Sequence, residues 1–189
     1  MIVFPTITEK IGTTTQYYDV PSRLFKDRII MLVDEVNEDS ATSVISQLLY
    51  LDSENHDDIT LLINSPGGSV IDGLAIFDTM NRIKSDVITI STGQASSMGA
   101  LLLSSGAKGK RKASVSARIM IHSIGHGYSG KIDDTRISHQ ESEFLQSYLT
   151  DILVKNTGQK ISKVKKDIER DKFMSSSEAL AYGIIDEII

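Results

Sequence analysis

The sequence predicts one α/β domain with a parallel sheet. Two observations carry that reading: a strand-like apolar segment followed by an amphipathic helix recurs three times, and glycine-containing turns close the second and third strands. Repeats of this kind join by right-handed crossovers that lay successive strands side by side. With 189 residues, 40% of them apolar, one core is the expected number, and a disordered chain is excluded.

Residues 1–20 are rich in Thr and Tyr without clear periodicity and read as a mobile arm. Residues 28–33 (RIIMLV) are an apolar run of strand length. In 40–51 the apolar residues Val44, Ile45, Leu48, Leu49 and Leu51 recur at helical spacing. Residues 59–64 (ITLLIN) form the second strand, closed by Ser65-Pro66-Gly67-Gly68, and 70–83 the second amphipathic helix. Residues 86–91 (DVITIS) and 98–105 (MGALLLSS) repeat the unit a third time.

Beyond that point the pattern changes. Residues 112–121 hold short β-like pieces ending in RIMI, and 123–131 (SIGHGYSGK) contain three glycines, too many for a stable helix. Residues 133–155 then form one long helix, more apolar in its second half, which stops at Asn156-Thr157-Gly158. Ser175 and Glu178 have capping-box spacing before a last short helix, and 184–189 are a candidate final strand.

Composition removes several classes of chemistry. The chain has no cysteine, so disulfides, a thiolate nucleophile and cysteine-ligated zinc are impossible. A net charge of −5 argues against nucleic acid as the main partner, and the basic run 108–112 (KGKRK) reads as a solvated turn. The N-terminal stretch lacks signal-peptide features, and no apolar run approaches the roughly 18–20 residues that span a bilayer. The expectation is a soluble cytoplasmic protein with no membrane partner.

The candidate chemistry sits where parallel sheets place their ligands, at the carboxyl ends of strands. The turn 64–69 (NSPGGS) is able to aim backbone N–H groups at an anion; a plain tight turn is the alternative. In 93–100 (GQASSMGA), Ser97 stands two residues before Gly99 at a strand-to-helix junction. That is the logic of a nucleophile elbow, although Ala95 replaces its first glycine. An N-cap role for Ser97 is the alternative, and Ser96 is a rival nucleophile. Of the four histidines only His122 directly follows an apolar strand, as a candidate base or, alternatively, a satisfied structural residue; His56, His126 and His139 lie in polar or glycine-rich surroundings. Asp171, between Arg170 and Phe173, is the candidate carboxylate that orients a base, or a plain turn residue.

These segments together resemble the ClpP family, the proteolytic subunits of ATP-dependent Clp proteases. The similarity lies in 22–32 (SRLFKDRIIML), 63–70 (INSPGGSV), 93–100 (GQASSMGA), 118–122 (RIMIH) and 169–186 (ERDKFMSSSEALAYGIID), in family order from about residue 20 to the end. The resemblance implies a crotonase-like α/β fold and a Ser-His-Asp peptidase. Ser97 would be the nucleophile, His122 the general base and Asp171 its orienting acid, with Gly68 and Met98 donating N–H groups to the oxyanion. Residues 123–156 would be a handle, a strand plus the long helix, that interlocks two seven-membered rings into a tetradecamer. Residues 1–20 would be an axial arm, and Arg170 would link ring contact to an active triad. No cofactor is implied: ATP is used by a partner AAA+ unfoldase of ClpX, ClpA or ClpC type, which feeds unfolded polypeptides into the chamber.

The departures from the family pattern set further expectations. Ser123-Ile124 replace the usual Gln-Pro after the histidine, and His126 and Tyr128 alter the handle strand. Where the family lines its docking pocket with aromatic rings, this chain has Leu62, Arg82 and Lys112, and Pro21 replaces a tyrosine near that face. Two charges oppose entry of an apolar loop, because each must be desolvated. A weakly active or regulatory subunit that needs a second ClpP paralogue in a mixed assembly is the alternative to a self-sufficient protease. A crotonase-type enzyme acting on a thioester is a third reading, but it leaves Ser97 and His122 without a purpose.

Overall fold

The computed structural model describes residues 4–125, 127 and 129–189. An antiparallel ribbon comes first, β1 (Thr6–Ile11) paired with β2 (Thr14–Asp19). Here the structure departs from the reading of an arm without regular elements. The Thr and Tyr residues of β2 and the Thr and Ile of β1 favour extended backbone, but both faces of the ribbon are largely solvated, so no apolar alternation betrays it. Helix α1 (Val20–Lys26) was equally invisible; the Asp19 carboxylate caps it by accepting the Ser22 N–H at 2.8 Å.

The three strand–helix units form as expected: β3 (Ile29–Val33), α2 (Glu38–Glu54), β4 (Ile59–Ser65), α3 (Val70–Arg82), β5 (Val87–Ser96) and α4 (Met98–Ser104). The α2 helix starts before its periodic residues because Asn37 and Ser40 form a reciprocal capping box. Strands β3, β4 and β5 are parallel neighbours. In β4, residues Ile59, Leu61 and Ile63 point into the core with no exposed surface, and Leu48, Ile76 and Leu102 from the three helices close over it.

Next come β6 (Arg111–Ala113), β7 (Arg118–Ile121), α5 (Ile132–Thr157), α6 (Ile161–Ile168), β8 (Lys172–Ser175), α7 (Ser176–Tyr182) and β9 (Glu187–Ile188). The main path of the sheet runs β3-β4-β5-β6-β9. Strand β5 is long enough to serve two partners. Thr89–Ser91 pair with β6, while Gln94–Ser96 pair with β7, which in turn pairs antiparallel with β8. The hand-over falls at Gly93, whose φ of 75° only glycine adopts without strain. It carries the end of β5, and so residue 97, out onto a separate ladder.

The long helix is confirmed and ends on Gly158 with φ 71°. Its second half buries Thr150, Ile152 and Leu153, while Ile132, Ile137 and Phe144 are 77%, 64% and 64% exposed. The strand expected over 123–131 is absent among the described residues: nothing there pairs with another strand of the chain. His126 and Tyr128 lie outside the described residues. The basic run also needs correction, since Arg111 is not solvated but 5% exposed, doubly bonded to Asp186.

Candidate active site

Ser97 occupies the single residue between β5 and α4, with φ 54° and ψ −120°. Such a backbone costs roughly 1–3 kcal/mol for a non-glycine residue and persists only where its surroundings hold it. Both sides do so here. The Ser97 N–H donates to the Met120 carbonyl at 2.8 Å, and its own carbonyl accepts from Ala100 and Leu101 at 3.0 and 3.1 Å. The hydroxyl makes no capping bond, which removes the N-cap reading. It meets His122 Nε2 instead, at 2.9 Å. Ser96 is buried in the ladder opposite Met120, away from that imidazole.

The third member arrives through strand register. In the β7–β8 ladder Ile121 faces Lys172, so one step outward His122 faces Asp171. Nδ1 of His122 lies 3.2 Å from Asp171 Oδ1, with the two side chains 31% and 59% exposed. The residue after the histidine is pinned as well, the Ser123 N–H donating to the Ile168 carbonyl at 2.7 Å. The other described histidines are elsewhere: His56 sits 3.2 Å from Asp52, and His139 pairs with Glu143 on the exposed part of α5.

Beside the elbow, the Pro-Gly-Gly segment is more than a turn. A Cβ on Gly67 would stand 2.7 Å from both the Ser96 carbonyl and the Ser97 Cβ, and one on Gly68 would stand 2.2 Å from the Val36 carbonyl. The φ values, 95° and 149°, exclude other residues independently. Val36 and Gly68 form a parallel bridge in which Val36 N–H donates to Gly67 and Ser69 N–H donates to Val36, both at 2.8 Å. In such a bridge the bonds to Val36 come from the flanking residues, so the N–H of Gly68 itself points the other way. The N–H of Met98, first residue of α4, is one that a helix leaves without an internal partner.

A cleft opens from Ser97, with Met98, Leu101, Ile121, Leu149 and Leu153 on its walls and Gln146 among them. Gln146, not anticipated from sequence, takes the Ile124 N–H at 2.6 Å and donates to Thr150, so it ties the loop after the histidine to α5. Its place on a helix face, i and i+4 from Thr150, was the only signal it carried.

The positions of the expected docking pocket also resolve. Leu62 faces Ile90 across β4–β5, and Ile90 faces Lys112 across β5–β6, so the three form one row of the sheet. Lys112 is paired with Glu187 at 2.7 Å, whereas Arg82 is exposed at the end of α3. Arg170 is exposed and, among the described residues, has no hydrogen-bond or ion-pair partner.

A Clp protease family model matches residues 12–189, nearly the entire chain, and the chain belongs to that family. Together with the Ser97–His122–Asp171 geometry, that membership makes it a serine-type endopeptidase. No helix among the described residues is long and apolar enough to cross a membrane.

Proposed function

We propose that this Clp-family peptidase cleaves unfolded polypeptides to short peptides inside a chamber of stacked rings, fed by an AAA+ unfoldase in the cytoplasm. The observation that carries the chemical part is the line of contacts within one subunit from the Ser97 hydroxyl, hydrogen-bonded to His122 Nε2, through the imidazole to Asp171, 3.2 Å from Nδ1. His122 Nε2 takes the hydroxyl proton as Ser97 attacks the peptide carbonyl, and Asp171 holds the other ring nitrogen in its N–H form. The proton then passes to the leaving amine, an acyl-enzyme remains, and water activated by the same imidazole releases the second product.

Gly68 and Met98 donate their N–H groups to the oxyanion of both tetrahedral intermediates. The bridge between Val36 and Gly68 supports this, because it turns the Gly68 N–H away from Val36. One such donor is worth about 2.7–4 kcal/mol in other acyl-transfer enzymes. An apolar side chain of the substrate fits the wall of Leu101, Leu149 and Leu153. The crotonase-like assignment is supported by β5 bridging two ladders.

The projecting half of α5 supports its role as a handle between rings, and ribbon β1–β2 is the arm at the axial pore. A mixed assembly with a second ClpP paralogue is favoured by Arg82, whose exposed charge, without an ion-pair partner among the described residues, stands where an apolar loop of the unfoldase would insert. Lys112 opposes that insertion less, because Glu187 already balances it. A fluorophosphonate probe tests the peptidase: labelling is expected and should vanish in Ser97→Ala. Tight binding of an unfoldase to the protein alone, with no other ring present, would sink the mixed-assembly version.

A further inference from the structure

We infer that Asp167, outside the triad, is a positioning residue for it, acting through Lys172 on Asp171; this rests on the peptidase reading above. Asp171 is a poorly held group. Its side chain is 59% exposed, and His122 is its one hydrogen-bonding or ionic partner among the described residues. In water a carboxylate so placed samples several rotamers, so its direction must come from the backbone on either side.

That backbone is fixed one residue later. The Lys172 ammonium reaches Asp167 Oδ1 at 3.2 Å, the Lys163 ammonium lies 2.6 Å from Oδ2, and the Tyr182 hydroxyl donates to Oδ2 at 3.0 Å. Asp167 is only 16% exposed in its side chain, Tyr182 is 6% exposed, and Lys163 lies 4.2 Å over the tyrosine ring. Three elements, α6, β8 and α7, therefore converge on one carboxylate. The two lysines are 48% and 35% exposed but the carboxylate they share is not, and several charge-assisted bonds converging on one half-buried oxygen pair hold geometry better than a single exposed ion pair does.

The same end of α6 also holds the histidine. The carbonyl of Ile168, next to Asp167, accepts the Ser123 N–H at 2.7 Å, and Ile168 and Val164 are buried. So the residue after His122 and the residue after Asp171 are both tethered to two adjacent positions of one helix. The helix end sets the separation of base and acid, which the β7–β8 register alone leaves to an unsupported strand end.

The test compares Asp167→Asn and Lys172→Met with wild type, alone and combined with Asp171→Asn, in peptide hydrolysis. Each single change is expected to lower kcat roughly 10- to 100-fold with KM unchanged, the scale on which small misplacements act. Lys172→Arg should recover most of the loss. In the Asp171→Asn background neither change should lower kcat further, because nothing is left to position. An equal loss in both backgrounds, or a loss confined to KM, overturns the inference and makes Asp167 a plain stability residue. Should the Asn variant not fold, Lys172→Met decides the matter alone. Wild type that fails to hydrolyse peptide or label with fluorophosphonate counts against the proposed function, not against this inference. The inference then reads out on the His122 Nδ1–H resonance of histidine-15N-labelled protein: lost in Asp171→Asn, it must shift in Asp167→Asn, and an unchanged signal refutes it.

Discussion

Of the aspartates that pair with a cation or an imidazole, Asp186 and Asp171 are built in opposite ways. Asp186 takes Arg111 bidentately at 2.6 and 2.8 Å and accepts the N–H groups of Gly109 and Arg111, while the guanidinium also reaches the Ser104 and Asn156 carbonyls. The two side chains are 7% and 20% exposed. Asp171 has one polar side-chain partner among the described residues, His122, in the open. The first pair welds the ends of α4 and α5 to the turn before β9. The second pair accepts exposure so that the imidazole stays beside a cleft that substrate must enter. A carboxylate that stabilises the fold is surrounded; one that works on a substrate is held at a distance, through its neighbours.

The contrast is broken or sharpened by a series of changes. Removing the nucleophile is the largest: Ser97→Ala should lower peptide hydrolysis by about 10⁵–10⁶-fold, as in other triad enzymes, with the melting temperature little changed. Asp171→Asn should cost on the order of 10⁴-fold in kcat through loss of the correct tautomer, again without destabilisation. A fall of several degrees in its melting temperature would erase the distinction between the two aspartates. Arg111→Met should do the reverse, destabilising by about 2–4 kcal/mol because a half-buried carboxylate loses its buried partner, while kcat of the folded protein stays near wild type. Urea unfolding and steady-state kinetics on the same samples separate the two effects.

The acid response follows from the same pair. The hydrogen bond from the Arg111 guanidinium holds the Asp186 carboxyl below its ordinary range. Stability from it is therefore complete above the unfolded value of about 3.9 and is lost as pH falls through the lower native one. The urea midpoint should hold steady toward pH 5 and drop below pH 4, with the gap between wild type and Arg111→Met narrowing there. A gap that stays constant to pH 3 would show that Asp186 is not the group responsible. Smallest of all, Glu187→Gln should change the unfolding free energy by under about 1 kcal/mol, since its pair with Lys112 is exposed. On the docking proposed above, the larger effect is expected on unfoldase binding, which should weaken once the lysine charge is unbalanced.

Much of this was legible in the sequence. The three strand–helix units declared themselves through periodicity, and residues 97, 122 and 171 through the motifs around them. What stayed hidden has identifiable causes. The β1–β2 ribbon and β8 lack an apolar alternation, because one lies in solvent and the other is a four-residue edge strand. Arg111 hid within a basic run, where its fate depended on an aspartate 75 positions away. Gln146 and Val36 touch the site through a backbone N–H and a β-bridge, contacts that local sequence does not encode. The strand expected after His122 is missing among the described residues, since a strand needs a partner and the chain offers none there.

The backbone of Ser97 carries one more consequence, for anyone who wants a capture reagent that binds substrates without cutting them. Alanine at this position keeps the Cβ and with it the unfavourable φ of 54°. Glycine relieves that conformation, so Ser97→Gly should melt higher than Ser97→Ala even though glycine also gains freedom in the unfolded chain. The sturdier reagent is then the poorer mimic: once the elbow relaxes, the Met98 amide is free to swing, and captured peptides are held in a looser pose than the parent protein would give them.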